Sequence, residues 1–215
     1  MELPKKVNRR KVYLSHDQLH RFADEVGKTA IDAAKRATLV LTLGYCGPRW
    51  GEATALKVRD FNALRHRFLF QDNAVEVDGE IREGSTKGGD ERTAPISTFL
   101  VDAIAKVCEG KGPDDLIFDH PDGGFLLLPP YERGWWQQSV KGAGIPRITP
   151  HDLRHTAASL AVQAGANVKA LQRMPGHKRA TETLDIYADL FDDDLEGIAD
   201  RLDEAAGRMW AKRAK

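Results

Sequence analysis

The sequence predicts an α+β fold, mainly α-helical, with a small antiparallel β-sheet. Three observations predict it. Apolar residues recur at helical spacing up to about residue 57 and again after residue 97. Between residues 67 and 96 the pattern changes to short strand-like segments separated by turn sequences. Hydroxyl residues, Pro and Gly fall where helices should start and stop.

Residues 1–13 carry Pro4 and the bases Lys5, Lys6, Arg9, Arg10 and Lys11 without an apolar period, and read as a basic interdomain linker. Ser15 then precedes Gln18 and the apolar series Leu19, Phe22, Ala23 and Val26, the pattern of a helix opened by a capping box. Residues 30–43 are Ala/Leu-rich and predict a largely buried helix, with Gly44, Gly47 and Pro48 as its breakers. Residues 50–57 predict another. Phe68-Leu69-Phe70, Val75-Glu76-Val77, Ile81 and Arg92-Thr93-Ala94-Pro95-Ile96 predict strands, with turns at Asp78-Gly79 and Lys87-Gly88-Gly89-Asp90. Residues 97–109 return to helix, and 110–130 form a loop around Leu116-Ile117-Phe118. Thr149-Pro150 starts a helix that Gly165 ends. A short helix over 167–174 stops at Pro175-Gly176, and Thr181 caps one that carries Tyr187. In the tail, Leu195, Ile198, Ala199 and Leu202 lie at helical spacing among acids, an amphipathic helix in need of a surface.

Composition narrows the function. With 41% hydrophobic and 30% charged residues, the 215-residue chain can bury a core as one domain. No apolar run approaches the roughly 20 residues of a membrane span, so a cytoplasmic location is expected, with no membrane partner. Cys46 and Cys108 stand far apart, which excludes zinc-ribbon and CxxC redox readings and leaves two small buried thiols. The 32 bases and 32 acids cancel, which argues mildly against nucleic acid. The charge is segregated, however. From residue 188 onward eight acids face five bases, so the preceding body is basic.

Gly27-Lys28-Thr29 mimics the end of a phosphate-binding loop, but Phe22 stands where that loop needs Gly. The His151-Asp152-His155 group fits no zinc pattern. The informative stretch is 149–187. His151 and Arg154 share a face near a helix N-terminus, where the dipole favours anions. His177 follows a helix break, and Tyr187 lies ten residues further on. Taken singly, a His-x-x-Arg pair is ordinarily a solvated or capping pair, and a lone Tyr is ordinarily core.

The combination decides otherwise. The segment His151-Asp152-Leu153-Arg154-His155-Thr156, with Met174-Pro175-Gly176-His177 and Leu184-Asp185-Ile186-Tyr187, resembles the C-terminal signature of the tyrosine recombinase (phage integrase) family. Gly47-Pro48-Arg49-Trp50-Gly51-Glu52-Ala53 is similar to the family's first arginine motif. Thr86-Lys87-Gly88-Gly89 followed by Arg92-Thr93-Ala94-Pro95-Ile96 looks like its β-hairpin lysine motif. The wording around Thr181-Glu182-Thr183-Leu184-Asp185 looks most like integrases of actinobacterial phages.

The resemblance implies a catalytic domain over 14–190 that cuts and rejoins DNA strands by transesterification. Tyr187 would attack phosphorus and form a 3′-phosphotyrosine link. With a free pKa of about 10, its phenolate costs roughly 4 kcal/mol at pH 7 unless a base or cations help. Arg49 and Arg154 would hold non-bridging oxygens with paired N–H groups, each at the scale of about 3–4 kcal/mol. His151 would take or relay the tyrosine proton, His177 would donate to a phosphate oxygen, and Lys87 would protonate the leaving oxygen. Glu52 or Asp152 would orient these cations. No metal or other cofactor is implied. The partners implied are double-stranded DNA, a tetramer assembled on it from chains monomeric when free, and an accessory DNA-bending host factor.

Two departures stand out. Pro175 replaces the usual Leu before Gly-His, and only a linker precedes the first helix, so the family's N-terminal core-binding domain is expected to be absent. The tail, 191–215, is expected to dock as a helix, in cis or in trans. A type IB topoisomerase-like enzyme and a non-catalytic DNA-binding protein on the same fold are the competing readings.

Overall fold

The computed structural model describes residues 12–77, 80–85, 91–174, 176, 181, 202–203 and 206–207. Helix α1 (His16–Thr29) begins as the sequence predicts. Ser15 Oγ accepts the Gln18 N–H at 3.2 Å and Gln18 Oε1 accepts the Ser15 N–H at 2.9 Å. Leu19, Phe22, Ala23 and Val26 form its buried stripe. Before it, Val12 and Tyr13 already pack on apolar side chains, and the Leu14 N–H reaches Thr156 Oγ1 at 3.1 Å. The linker predicted over 1–13 otherwise lies outside the described residues.

Helix α2 (Ala33–Cys46) is the central element, packed on α1 and on three later helices. It starts and ends three residues later than predicted. Gly44 does not break it. The helix runs through Gly44 because Leu19 of α1 sits against it, where a Cβ would stand 2.5 Å from the Leu19 Cδ2. Gly47 is the true stop, in the left-handed region at φ +68.

Helix α3 is short (Trp50–Thr54) and is followed by a 3-10 turn over Val58–Asp60. The strands form two antiparallel sheets rather than one. In the first, β1 (Phe61–Asn62), β2 (Arg67–Phe70) and β5 (Arg92–Pro95) lie in the order β1-β2-β5, with Phe68 opposite Ala94 and Phe70 opposite Arg92. Alternation buries Phe68 and Phe70 on the core face. The second is the hairpin β3 (Asp72–Val77) and β4 (Glu80–Ser85), which lies against α3. The turn predicted at Asp78-Gly79 and the Lys87-Gly88-Gly89-Asp90 turn lie outside the described residues.

Helix α4 (Thr98–Cys108) packs on α2 and leads into the expected irregular segment, pinned where Leu116 bridges to Lys57. Helix α5 (Trp135–Gly142) is an element the sequence reading leaves unassigned. Trp136 anchors it, 1% exposed, edge-on to Phe22 and Trp50, with its indole N–H on the Ile148 carbonyl at 2.9 Å. Helix α6 (Pro150–Gln163) and the short α7 (Val168–Arg173) match the prediction. The helix expected to carry Tyr187 lies outside the described residues, as does most of the acidic tail. Among the tail residues that are described, Leu202 is exposed.

Cys46 is buried, and burial pushes its thiol up to about 12, so it is an inert core group. Cys108 departs from the expectation in being only half-buried. Among the described residues no helix is long and apolar enough to cross a membrane.

Candidate active site

The α2–α3 turn, the start of β5 and the first turns of α6 meet around one carboxylate, that of Glu52. Its side chain is 2% exposed. It stays ionised because arginines surround it. Burial alone would push its pKa up, but Arg92, the Arg49 backbone N–H, Arg154 and the Arg49 side chain together hold it below the ordinary carboxylate value.

Arg49 is the residue before α3, and its conformation is set by that carboxylate. Its N–H donates to Glu52 Oε2 at 2.7 Å and its Nη1 to Glu52 Oε1 at 2.8 Å. Its side chain remains 44% exposed, able to reach a ligand in solvent. Arg154 approaches from α6 and is buried, with a side chain 4% exposed. Its Nη1 donates to the Gly47 carbonyl at 3.1 Å and lies 4.0 Å from Glu52 Oε2. The left-handed turn at Gly47 makes this possible. It lays the α2–α3 connection directly on α6, 3.2 Å from the Ala157 Cβ to where a side chain would begin.

His151 sits one turn before Arg154 on α6, its ring edge-on to His155 at 4.8 Å between centroids. Its pKa is lowered, first by partial burial, then by the like charge of Arg154 and, further off, Arg49; Asp152 acts the other way. His151 is therefore biased to the neutral form that can accept a proton. Asp152 serves α6 itself: its Oδ2 accepts from the Thr149 N–H and hydroxyl, both at 2.7 Å. Of the two carboxylates expected to orient the arginines, Glu52 does so and Asp152 caps a helix.

Three of the six residues singled out in the sequence, Arg49, His151 and Arg154, thus converge. Lys87, His177 and Tyr187 lie outside the described residues. Sequence reasoning missed Arg92 as a site member. Its Nη2 donates to Glu52 Oε2 at 2.5 Å, and its side chain is 10% exposed. The signal was its place at the head of the Arg92-Thr93-Ala94-Pro95-Ile96 segment that follows the lysine motif, where it was given no role. Among the described residues no group of three or more His, Cys, Asp or Glu side chains could hold a metal ion.

Residues 12–193 match the phage integrase family. The chain belongs to that family. Among curated family relatives, it is 27% identical over 179 residues to the tyrosine recombinase XerD of Corynebacterium glutamicum, covering 79% of this chain and 53% of the relative. The chain spans about half the length of that relative. Among solved structures, the Tn1549 transposon integrase in complex with circular intermediate DNA superposes with a TM-score of 0.73 at 22% identity, covering 89% of this chain and 68% of that one. The catalytic domain of bacteriophage HP1 integrase gives 0.56 at 22% identity, covering 87% of this chain and 95% of that one. At these identities the structures establish a shared fold. The integrase-family catalytic fold is thus the one predicted, mainly helical with small antiparallel sheets.

Proposed function

We propose that this chain is the catalytic domain of a tyrosine-type site-specific recombinase, which cleaves and rejoins double-stranded DNA through a 3′-phosphotyrosine intermediate. The observation that carries the reading is the convergence of Arg49 and Arg154 on the buried Glu52, with His151 one helical turn away. Three arginines against one carboxylate leave an excess of positive charge, suited to a phosphate that gains negative charge at the transition state. Tyr187 is the proposed nucleophile. Lys87 protonates the leaving 5′-oxygen, His151 relays the tyrosine proton and His177 donates to a phosphate oxygen. The bond to tyrosine conserves the energy of the cut phosphodiester, so rejoining needs no nucleotide.

The catalytic domain is proposed to occupy 14–190, which agrees with the family match over 12–193. The tail, 191–215, docks as a helix in cis or in trans. A cavity of about 690 Å³, with Tyr45, Ile96, Leu160 and Met174 in its lining and Arg67 and Arg173 among its charges, offers an apolar floor and basic groups matched to that acidic, amphipathic segment. The DNA-bound form is a tetramer, and the finer placement among actinobacterial phage integrases rests on Thr181-Glu182-Thr183-Leu184-Asp185.

The test is incubation with a nicked suicide duplex carrying a site selected by this chain from random-sequence DNA. A denaturant-resistant protein–DNA adduct is expected, and Tyr187→Phe abolishes it. An adduct that persists in Tyr187→Phe would overturn the assignment of the nucleophile.

A further inference from the structure

Arg92 stands opposite Phe70 in the β2–β5 ladder, and its guanidinium carbon lies over the Phe70 ring, 4.4 Å from the centroid. From there its two terminal nitrogens reach two different segments. Nη2 donates to Glu52 Oε2 at 2.5 Å, and Nη1 donates to the Met174 carbonyl at 2.5 Å, just beyond α7. Its Nε is buried with no hydrogen-bond partner among the described residues. The stem also carries the following turn: a side chain on Gly176 would begin 2.6 Å from the Arg92 Cδ. A charged residue with a buried, unpaired N–H is a costly way to fill space. Packing alone does not account for it.

The lone pairs of Glu52 show what it does. A carboxylate oxygen has about two acceptor positions. Oε2 has both filled, by the Arg49 N–H and by Arg92 Nη2, while Oε1 takes Arg49 Nη1. Arg154 Nη1 stands 4.0 Å from Oε2, near enough to feel its charge and too far to bond it.

We propose that Arg92 is a positioning residue for this site: by filling the last acceptor position of Glu52 Oε2, and by being held at Met174, it keeps Glu52 from drawing Arg154 away from a bound phosphate. This rests on the recombinase reading above. Without Arg92, a position on Oε2 opens with the Arg154 guanidinium beside it, and the two close. A lysine at 92 reaches one anchor but cannot fork to both. The Met174–Gly176 turn, one residue from His177 in sequence, loses its tie in the same step.

The experiment compares the wild type with Arg92→Met, Arg92→Lys and the double variant Arg92→Met/Glu52→Gln. Adduct formation on the suicide duplex, DNA affinity and thermal unfolding are measured for each. Arg92→Met is expected to slow adduct formation about tenfold or more, with a much smaller loss of affinity. Arg92→Lys falls between it and the wild type. Adding Glu52→Gln removes the competing carboxylate and recovers part of the lost rate. A residue that only packed the sheet would give no recovery, because the second substitution removes a further contact. Recovery in the double variant therefore separates positioning from packing, and the overturning result is read from the geometry, because Glu52 also holds Arg49. A crystal structure of DNA-free Arg92→Met decides the geometry independently of catalysis: Arg154 Nη1 closes to hydrogen-bond distance from Glu52 Oε2, and an unchanged Arg154 overturns the proposal. A wild type that forms no Tyr187-dependent adduct refutes the recombinase reading instead, and the crystallographic comparison still stands as the test of Arg92.

Discussion

The backbone of Ala74 rests on Gly51: a Cβ on Gly51 would lie 2.2 Å from the Ala74 carbonyl oxygen and 2.4 Å from Asn73 Oδ1. This contact seats the β3–β4 hairpin on α3, immediately beside Arg49 and Glu52. Lys87 follows the end of β4 by two residues in sequence. Because the obstacle is backbone, it cannot swing aside. Gly51→Ala is expected to push the hairpin back by on the order of 1 Å and to cost about 1–3 kcal/mol, as overpacking does. Chemical denaturation reads the stability, and adduct formation on a suicide duplex should fall with it. A Gly51→Ala chain of wild-type stability would mean that this seat is not tight.

Among the described residues Glu52 is the acid that faces three arginines, of which Arg154 is buried and Arg92 has a side chain 10% exposed. Glu52→Gln keeps the shape and removes the charge, leaving Arg92 and Arg154 without their shared counter-ion. Breaking a buried pair in this way costs roughly 3–5 kcal/mol. The expected outcome is a large drop in the denaturation midpoint at pH 7. The sign with pH follows from linkage. Because folding lowers the Glu52 pKa, its contribution is present above the unfolded-state value and is lost as pH falls through the folded one. The difference between wild type and Glu52→Gln should therefore shrink in acid. A gap that stays constant from neutral pH to below the carboxylate range would contradict the assigned charge state.

His151 gives a pH dependence of the same sign, although here folding favours the neutral form rather than the charged one. Its pKa is lowered from the ordinary 6.5, so the folded chain binds fewer protons there than the unfolded chain. Stability at this residue rises with pH through the window between the two values and is independent of pH on either side of it. The same shift keeps the imidazole neutral to lower pH, so the acidic limb of kcat/KM should have its midpoint below 6.5. Arg154→Met removes the nearest like charge and should move the His151 midpoint, followed by NMR in the DNA-free chain, upward. A downward movement would rule out Arg154 as a cause.

Local chemistry made much of this chain legible, and long-range contact hid the rest. The start of α1 could be read because Ser15 and Gln18 close a capping box within four residues. The end of α2 was misjudged because Gly44 looks like a breaker, while its partner Leu19 lies on another helix. Helix α5 escaped notice because its anchor, Trp136, is held by Phe22, Trp50 and the Ile148 carbonyl rather than by any periodic pattern of its own. In the site, Arg49, His151 and Arg154 were legible from motif wording. Arg92 stood in the strand motif without a role, because a strand arginine is ordinarily exposed and its partner Glu52 lies forty positions earlier in the chain.

Arg154→Lys separates charge from geometry. The wild-type guanidinium is fixed by the Gly47 carbonyl and faces Glu52 from 4.0 Å, so its planar fork is already oriented before any phosphate arrives. A lysine keeps the charge and most of the length but puts all its donors on one nitrogen, so it cannot offer the parallel pair of N–H groups that two phosphate oxygens accept while another nitrogen holds Gly47. Ground-state attraction to DNA depends mainly on charge and should change by no more than a few-fold. Stabilisation of the pentacoordinate phosphate depends on placed donors, and losing one costs about 10²–10³ in rate. Adduct formation in Arg154→Lys is therefore expected to fall by roughly two orders of magnitude while the dissociation constant of the same duplex barely moves. Equal losses in both would mean that Arg154 binds DNA without acting on the transition state.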